Sequence, residues 1–470
     1  MKLNTGINSA FPSQMVSEEE KRTLEYGLLV GQAIEYEWFR GGRVNGSRWN
    51  TGYQQFHNLR LYARGEQSVQ KYKDELSING DLSYLNLDWK PVAIIPKFVD
   101  IVVNGIAVKN YDLKAFAQDP FSLQQRTNYV GAIYRDMQMQ KEIEQVKATT
   151  GISLYNSNSA VLPQSKEELE VHMQLNYKQS VEIAEEEAIN NTLAFNKYQL
   201  TKKRIVADIV TIGIGAIKTQ FNKSEGIVVE YVDPANLIYS YTNDPNFEDI
   251  YYVGEIKSLT IAEIKKQWPY LTDEELEKMV RYPGRDGYIA NPNYDRDLVQ
   301  ILFFEYKTFI DQVFKIKHTE QGLEKVLEKP DYFNPPPSDN FDRVSRSIEV
   351  LFSGAKVMGA PQMLEWKLAE NMTRPKSDLT KVNMNYVICA PNLYQGRIES
   401  LVSRCTSFAD MIQITSLKLQ QVIARMVPDG VFVDVDGLAE VDLGNGTNYN
   451  PQEALNMYFQ TGSIVGRSLT

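Results

Sequence analysis

Residues 397–427 contain neither glycine nor proline; Gly396 closes the turn before them and Pro428 stops them. A helix through the whole stretch is roughly 45 Å long at about 1.5 Å per residue, and an element that long dictates what surrounds it. Ile398, Cys405, Ile412, Leu419 and Met426 recur every seven residues, accompanied by Leu401, Val402, Phe408, Ala409, Val422 and Ile423. Spacing of this kind makes a seam that packs along another helix. Arg397, Arg404, Lys418 and Arg425 repeat at the same interval beside it, with Met411 filling the gap, and Ile414 and Leu417 carry apolar character further round. A helix apolar on more than one side needs neighbours on more than one side. Those neighbours are either the interior of a large domain, with the basic residues as a solvated edge, or copies of the same helix around a ring.

The 470-residue chain is 43% hydrophobic, enough for two or more cores. Its net charge of −10 argues against a protein that coats nucleic acid electrostatically, though not against one that lets it pass. Cys389 and Cys405 are too few for a disulfide framework and fit a reducing compartment. Residues 1–15 lack the apolar core of a signal peptide. The best candidate for a membrane span, 205–217, is short and carries Asp208.

In chain order, Ser17 with Glu20 reads as an N-cap opening a helix to residue 39. Glycines 41, 42, 46 and 52 among Arg40, Arg43, Arg48 and Trp49 suggest a basic-aromatic loop, either a nucleic-acid contact or plain surface. Helices are expected over 59–76, 122–146 and 166–203, with irregular packing at 82–108, where Pro91, Pro96 and Gly105 fall, and a mobile loop at 149–165. The acidic run Glu182, Glu185, Glu186 and Glu187 reads as a solvated face. After a helix-to-strand passage at 205–218, strands follow at 227–232, 237–241 and 249–256, then a helix capped at Thr260 that stops at Trp268 and another at 273–280. Residues 297–317 and 346–358 look extended, the second with a turn at Ser353 and Gly354. An exposed linker or tip is expected over 329–346, a short helix over 362–370 and an extended stretch over 381–390.

Catalytic chemistry has no positive signal. His57, His172 and His318 are isolated, and the phosphate-loop, zinc-protease, serine-hydrolase and CxxC patterns are missing. Gly213 and Gly215 lack the third glycine and the strand-then-helix order of a nucleotide fingerprint. Carboxylates gather at Asp244, Glu248 and Asp249, and at Asp429, Asp434 and Asp436; the last two alternate on one strand face and either bind a divalent cation or form a solvated turn. No catalytic residue, metal ligand or cofactor is assigned.

Taken together, several segments resemble the portal proteins of tailed bacteriophages, most closely those of crAss-like phages. They are the passage from Asp208 to Phe221 leading to Val232-Asp233-Pro234-Ala235-Asn236, the strand Tyr251-Tyr252-Val253 with its following helix, and the extended region delivered to Tyr394-Gln395-Gly396-Arg397, then the long helix and Pro428-Asp429-Gly430. The resemblance covers residues 200–465. It implies an α+β, multi-domain architecture with long wing and stem helices, a mostly β clip insert and a channel loop. On that template 1–200 is a helical wing part, 201–296 the α/β passage from wing to stem, 297–390 the clip, 391–427 the stem or channel helix, and 428–470 the channel loop and the start of a further helix. Family members continue further, so the natural chain is expected to run past Thr470.

What the resemblance implies is a non-enzymatic head–tail connector in the virion, assembled in the host cytoplasm and set at one capsid vertex. It would be a homo-oligomeric ring, a dodecamer, through which double-stranded DNA is packaged and ejected. Its partners would be the major capsid protein, terminase and tail adaptor proteins, with no membrane and no cofactor. Ile398, Cys405, Phe408, Ile412, Leu419, Val422 and Met426 would then pack subunits together, and Lys418, Gln421, Arg425 and Asp429 would line the channel. The same cations have a competing use, pairing with Glu399, Asp410 or a neighbouring subunit. The alternatives are another virion or adaptor protein with this helix–β–helix plan, or a metal-dependent DNA-processing enzyme built on Asp429, Asp434 and Asp436.

Overall fold

The computed structural model describes residues 10–40, 48–77, 87–109, 113–152, 155, 163–175, 177–222, 224–280, 298–318, 324–330, 332–336 and 341–425. They divide into a smaller unit, Val108–Leu200, and a larger one made of the described residues up to Ala107 and from Thr201 onward. The smaller unit ends at Leu200, and the described residues up to Ala107 group with the chain after it.

The larger unit opens with α1 (Glu18–Lys21) and α2 (Leu24–Glu35), closed by a π-helical turn, Tyr36–Arg40. The single helix expected over 17–39 breaks because Thr23 is extended and its hydroxyl accepts the Tyr26 N–H, starting a second helix. Helix α3 (Arg48–Arg64) is followed by α4 (Gln70–Leu76) and α5 (Ile95–Ala107). The helix expected over 59–76 is therefore two, because the Glu66 N–H turns back to the Leu61 carbonyl at 2.8 Å and closes α3. Helix α5 replaces the irregular packing expected there. Pro96 sits in its first turn, where no N–H is needed, and Ile95, Val99 and Val103 make a buried stripe four residues apart.

The smaller unit holds α6 (Pro120–Gln138), α7 (Gln140–Thr150), α8 (Lys166–Leu175) and α9 (Ser180–Phe195) around Ile133, Leu169 and Met173. The helix expected over 166–203 is interrupted twice. Glu182 caps the Gln179 N–H at 3.0 Å to start α9, and Lys197, at a φ of 51°, separates it from α10 (Tyr198–Thr211). The acidic run is not wholly solvated: Glu182 is buried and accepts the Ala117 N–H, and Glu186 accepts that of Ala115, each at 2.9 Å.

After α10 come β1 (Gly215–Asn222), β2 (Gly226–Val232), a 3-10 turn at Pro234–Asn236, β3 (Leu237–Tyr239) and β4 (Tyr252–Thr260). Helix α11 (Ile261–Gln267) starts on the expected cap, with Thr260 and Glu263 bonding each other's backbone, and α12 (Asp273–Val280) follows. Strand β5 (Leu298–His318) is 21 residues long, β6 (Glu324–Lys329) lies along its outer end, and β7 (Phe341–Val357) runs beside it. Then come β8 (Met363–Leu368), β9 (Tyr386–Cys389), a small hairpin of β10 (Leu393–Tyr394) and β11 (Arg397–Ile398), and α13 (Leu401–Arg425).

Strand order in the main sheet is β3-β4-β5-β7-β8, with β6 added to β5; β2-β1-β9 forms a second sheet. Strands β5, β7 and β8 therefore share a sheet with β3 and β4, and β9 shares one with β1 and β2. The turn expected at Ser353 and Gly354 is absent, because Gly354 lies in register between Phe304 and Trp366. A Cβ there would come within 2.6 Å of the Met363 side chain, so glycine gives the crossing room instead of bending it. The helix expected over 362–370 is strand β8, with Leu364 and Trp366 facing inward at a period of two.

The principal core sets Tyr26, Val30, Ile34 and Trp38 against Tyr252, Phe304, Tyr306, Phe352 and Trp366. Each large side chain so buried contributes about 1.5–3 kcal/mol before entropy is counted. Set into it is Lys356, 1% exposed, whose Nζ is 2.5 Å from Glu35 Oε2. Replacing Glu35 by Ala removes the carboxylate that balances that buried charge, whose Nζ also donates to the Val357 carbonyl at 3.1 Å, and should cost about 3–5 kcal/mol, read from the shift in denaturant midpoint. Adding Lys356→Met should recover most of the loss; a cost below about 1 kcal/mol for Glu35→Ala alone would show that the pair does not hold this core.

Candidate assembly helix

The long helix starts at Leu401, not at residue 397. Gln395 and Gly396, at φ of 48° and 73°, make the two-residue turn that pairs Arg397 and Ile398 back onto Tyr394 and Leu393. Ser400 and Ser403 then cap each other, each hydroxyl accepting the other's N–H at 2.9–3.0 Å. Ile398, expected on the packing face, therefore belongs to the hairpin and packs on the core around Ile212 and Ile388.

Within the chain, α13 buries the line Val402, Ala409, Gln413 and Leu417. Val402 and Ala409 pack on Leu59 of α3, Ile95, Val99 and Val103 of α5 and Val210 of α10. Gln413, only 1% exposed, is satisfied by the extended backbone before α5: its Oε1 accepts the Val92 N–H at 2.7 Å and its Nε2 donates to the Lys90 carbonyl at 3.4 Å. Asp410 accepts from the hydroxyls of Tyr62 and Tyr72 at 2.8 and 2.7 Å and pairs with Lys71 at 2.5 Å. Burial opposes its ionisation, but the Lys71 ammonium and the two phenols outweigh that and hold the carboxyl below its ordinary range.

The expected seam lies on another side of the helix, about 120° round from the buried line at about 100° per residue. Phe408 is 66% exposed, Ile412 40%, Leu419 57% and Val422 56%, and Met411 and Ile423 are exposed beside them. Cys405 is half-buried against the α3–α5 side, and Met426 lies outside the described residues. Of the residues assigned to a channel, Lys418 is exposed, Gln421 is half-exposed, Arg425 ends α13, and Asp429 lies outside the described residues. The basic edge is not uniform: Arg404 pairs with Glu399 at 3.1 Å, whereas Asp410 is taken by Lys71.

Other candidate sites are structural. Asp244 organises its own turn by accepting the N–H groups of Asn246 and Glu248, and Asp249 accepts from Thr242 Oγ1. Arg48 and Trp49 of the expected basic loop are helical; Arg48 lies 4.1 Å over Trp38 and pairs with Glu37, and Trp49 is buried. Residues 41–47, Asp434 and Asp436 lie outside the described residues. In a cavity of about 620 Å³ between Gln14, Lys307, Glu349 and Lys381, Glu349 is engaged by the Val382 N–H and Asp378 by that of Thr380. Among the described residues no group of three or more His, Cys, Asp or Glu is placed to hold a metal ion, and no helix is long and apolar enough to cross a membrane.

Sequence reading missed Arg60 entirely. It forks between Asp233, at 2.6 and 3.2 Å, and Asp208, at 3.2 Å, while Tyr231 donates to Asp208. Burial nevertheless raises the Asp208 carboxyl above its ordinary value. Nothing in the local sequence around Arg60 signals partners 148 and 173 residues away.

Asp410→Asn tests the anchor of α13. Because the folded carboxyl titrates below the ordinary 3.8, its contribution is present above that value and lost as pH falls through the folded one. The variant should be about 1–3 kcal/mol less stable at neutral pH and indistinguishable from wild type in strong acid. A deficit that does not change with pH would mean that the ionised form is not what anchors the helix.

No known protein-family model matches the chain, and no curated protein matches it in sequence.

Proposed function

We propose that this chain is a structural, non-enzymatic ring subunit of the portal kind, a head–tail connector around a channel for double-stranded DNA. One observation carries the reading. Helix α13 is fixed to its own chain by one side, yet turns a second apolar line outward from Phe408 to Ile423, roughly 22 Å at about 1.5 Å per residue. Exposed apolar surface of that extent marks an interaction site. A head-to-tail interface repeated by rotation closes into a ring and asks every copy for two different contact faces. The outward line supplies one of them, with Phe408, Ile412, Leu419 and Val422 at its centre.

In this reading Lys418, Gln421, Arg425 and Asp429 face the lumen, sparse enough in charge that a passing polyanion is not gripped. The outer end of β5 and β7 takes the place of the clip, where terminase and then tail adaptors dock, and the major capsid protein surrounds the ring. The particle is a virion component at a capsid vertex, put together in the host cytoplasm.

Native mass spectrometry or negative-stain imaging of the full chain should find a closed ring, of twelve copies on the portal template. Phe408→Asp with Val422→Asp should reduce it to monomers with unchanged circular dichroism. Lys418→Ala with Arg425→Ala should leave assembly intact and alter DNA retention. A chain that stays monomeric at high concentration, or an Asp double variant that assembles as well as wild type, sinks the proposal.

A further inference from the structure

We propose that one face of the outer three-stranded tip binds the phosphate backbone of nucleic acid, without regard to base sequence. The argument starts from register. Residues directly opposite on antiparallel strands share a face. Val313 is opposite Lys329 of β6 and Ser345 of β7; Lys315 is opposite Leu327 and Arg343; Lys317 is opposite Lys325 and Phe341. One face of the tip therefore gathers Lys315, Lys317, Lys325, Lys329 and Arg343. No acid shares those register positions. The reverse face is mixed, with Glu328, Asp342 and Arg346 opposite Phe314, Ile316 and Gln312.

Like charges directly opposite one another weaken a sheet, and this face has two such pairs, Lys317 with Lys325 and Lys315 with Arg343. None of the five makes an ion pair among the described residues. Aromatic rings hold two of them in place instead. The Lys315 Nζ sits 3.7 Å from the Phe341 ring centroid, and Lys329 lies over Phe333. Arg343 spends its Nε on the Phe333 carbonyl at 2.8 Å, and its outer nitrogens have no hydrogen-bond partner among the described residues. Lys317, Lys325 and Arg343 are exposed. A set of cations that costs the sheet stability and has no counter-charge among the described residues fits an external polyanion.

The composition of the face favours nucleic acid over an acidic protein. Lysine is depleted from protein–protein interfaces, whereas backbone phosphates are met by lysine as a point charge. Four of the five cations are lysines, and no Asn or Gln stands at these register positions to read a base edge. The inference rests on the sheet alone and holds whether or not the chain forms a ring.

The test is fluorescence anisotropy of a short labelled duplex with the full chain across a salt series. Five phosphate contacts predict a log–log salt slope of about −4.5, so affinity should fall by about two to three orders of magnitude between 50 and 200 mM salt. Lys317→Gln with Lys325→Gln should bring the slope toward zero by about 1.8. Lys265→Gln with Lys266→Gln, the same change in net charge placed on α11, should leave it unaltered. Thermal unfolding checks that the tip variant is folded. Binding equal in both double variants, or no binding at low salt, overturns the proposal. So does polyglutamate that binds the tip as tightly as the duplex and is lost with the same substitutions, which would reassign the face to an acidic protein.

Discussion

The larger unit depends on the ladder in which β5, from Ile301 to Lys317, faces β7, from Val357 back to Phe341, without a shift of register. A sheet side chain changes face at every residue, so a single slip would turn Phe304, Tyr306 and Phe352 out of the core and bring their neighbours in. The inner half is held in phase by that core, by β4 and β8 on either side and by the buried Lys356 that α2 neutralises. The outer half inherits its phase from the inner one. Its alternation of basic and mixed faces is therefore as fixed as the core, although most of it is exposed.

The long helix obeys a parallel logic. Its inward line is only partly apolar; Gln413 and Asp410 supply hydrogen bonds and an ion pair to residues far away in sequence. Directional contacts of this sort set the rotation of a helix about its axis in a way that apolar packing alone does not. Rotation decides where the second apolar line points. A seam presented by a rigidly held helix loses little freedom when it meets a partner, which favours association without adding any contact.

Features with local causes were legible in the sequence. The cap at Thr260 announces α11, and the passage from α10 into β1 follows from its apolar run and glycines. Helix α5 was hidden because Pro91, Pro96 and Gly105 outweighed the stripe of Ile95, Val99 and Val103. Strand β8 reads as a helix in sequence because a run this short satisfies either period, and the choice is made by β7 beside it. The start of α13 was misplaced because a lack of Gly and Pro permits a helix without requiring one; the hairpin and Ser400 end the option. Of the candidate packing face, Phe408, Ile412, Leu419 and Val422 could be placed on one side of the helix by spacing alone, and there they are exposed. Arg60, Asp410 and Gln413 could not be, since their partners are separated by long stretches of chain.

Net charge was the least transferable of the global numbers. A value of −10 spread over 470 residues says little about a face a few strands wide, because charges separated by more than about 8 Å are largely screened at physiological ionic strength. Lys315, Lys317 and Lys325 lie closer to one another than that scale allows screening to erase, since adjacent strands are about 4.8 Å apart and alternate residues about 7 Å. The overall acidity and the basic tip are compatible for the same reason. An acidic body limits how much of a polyanion the protein can hold, and a small cationic face at the end of a long ladder decides where contact is made.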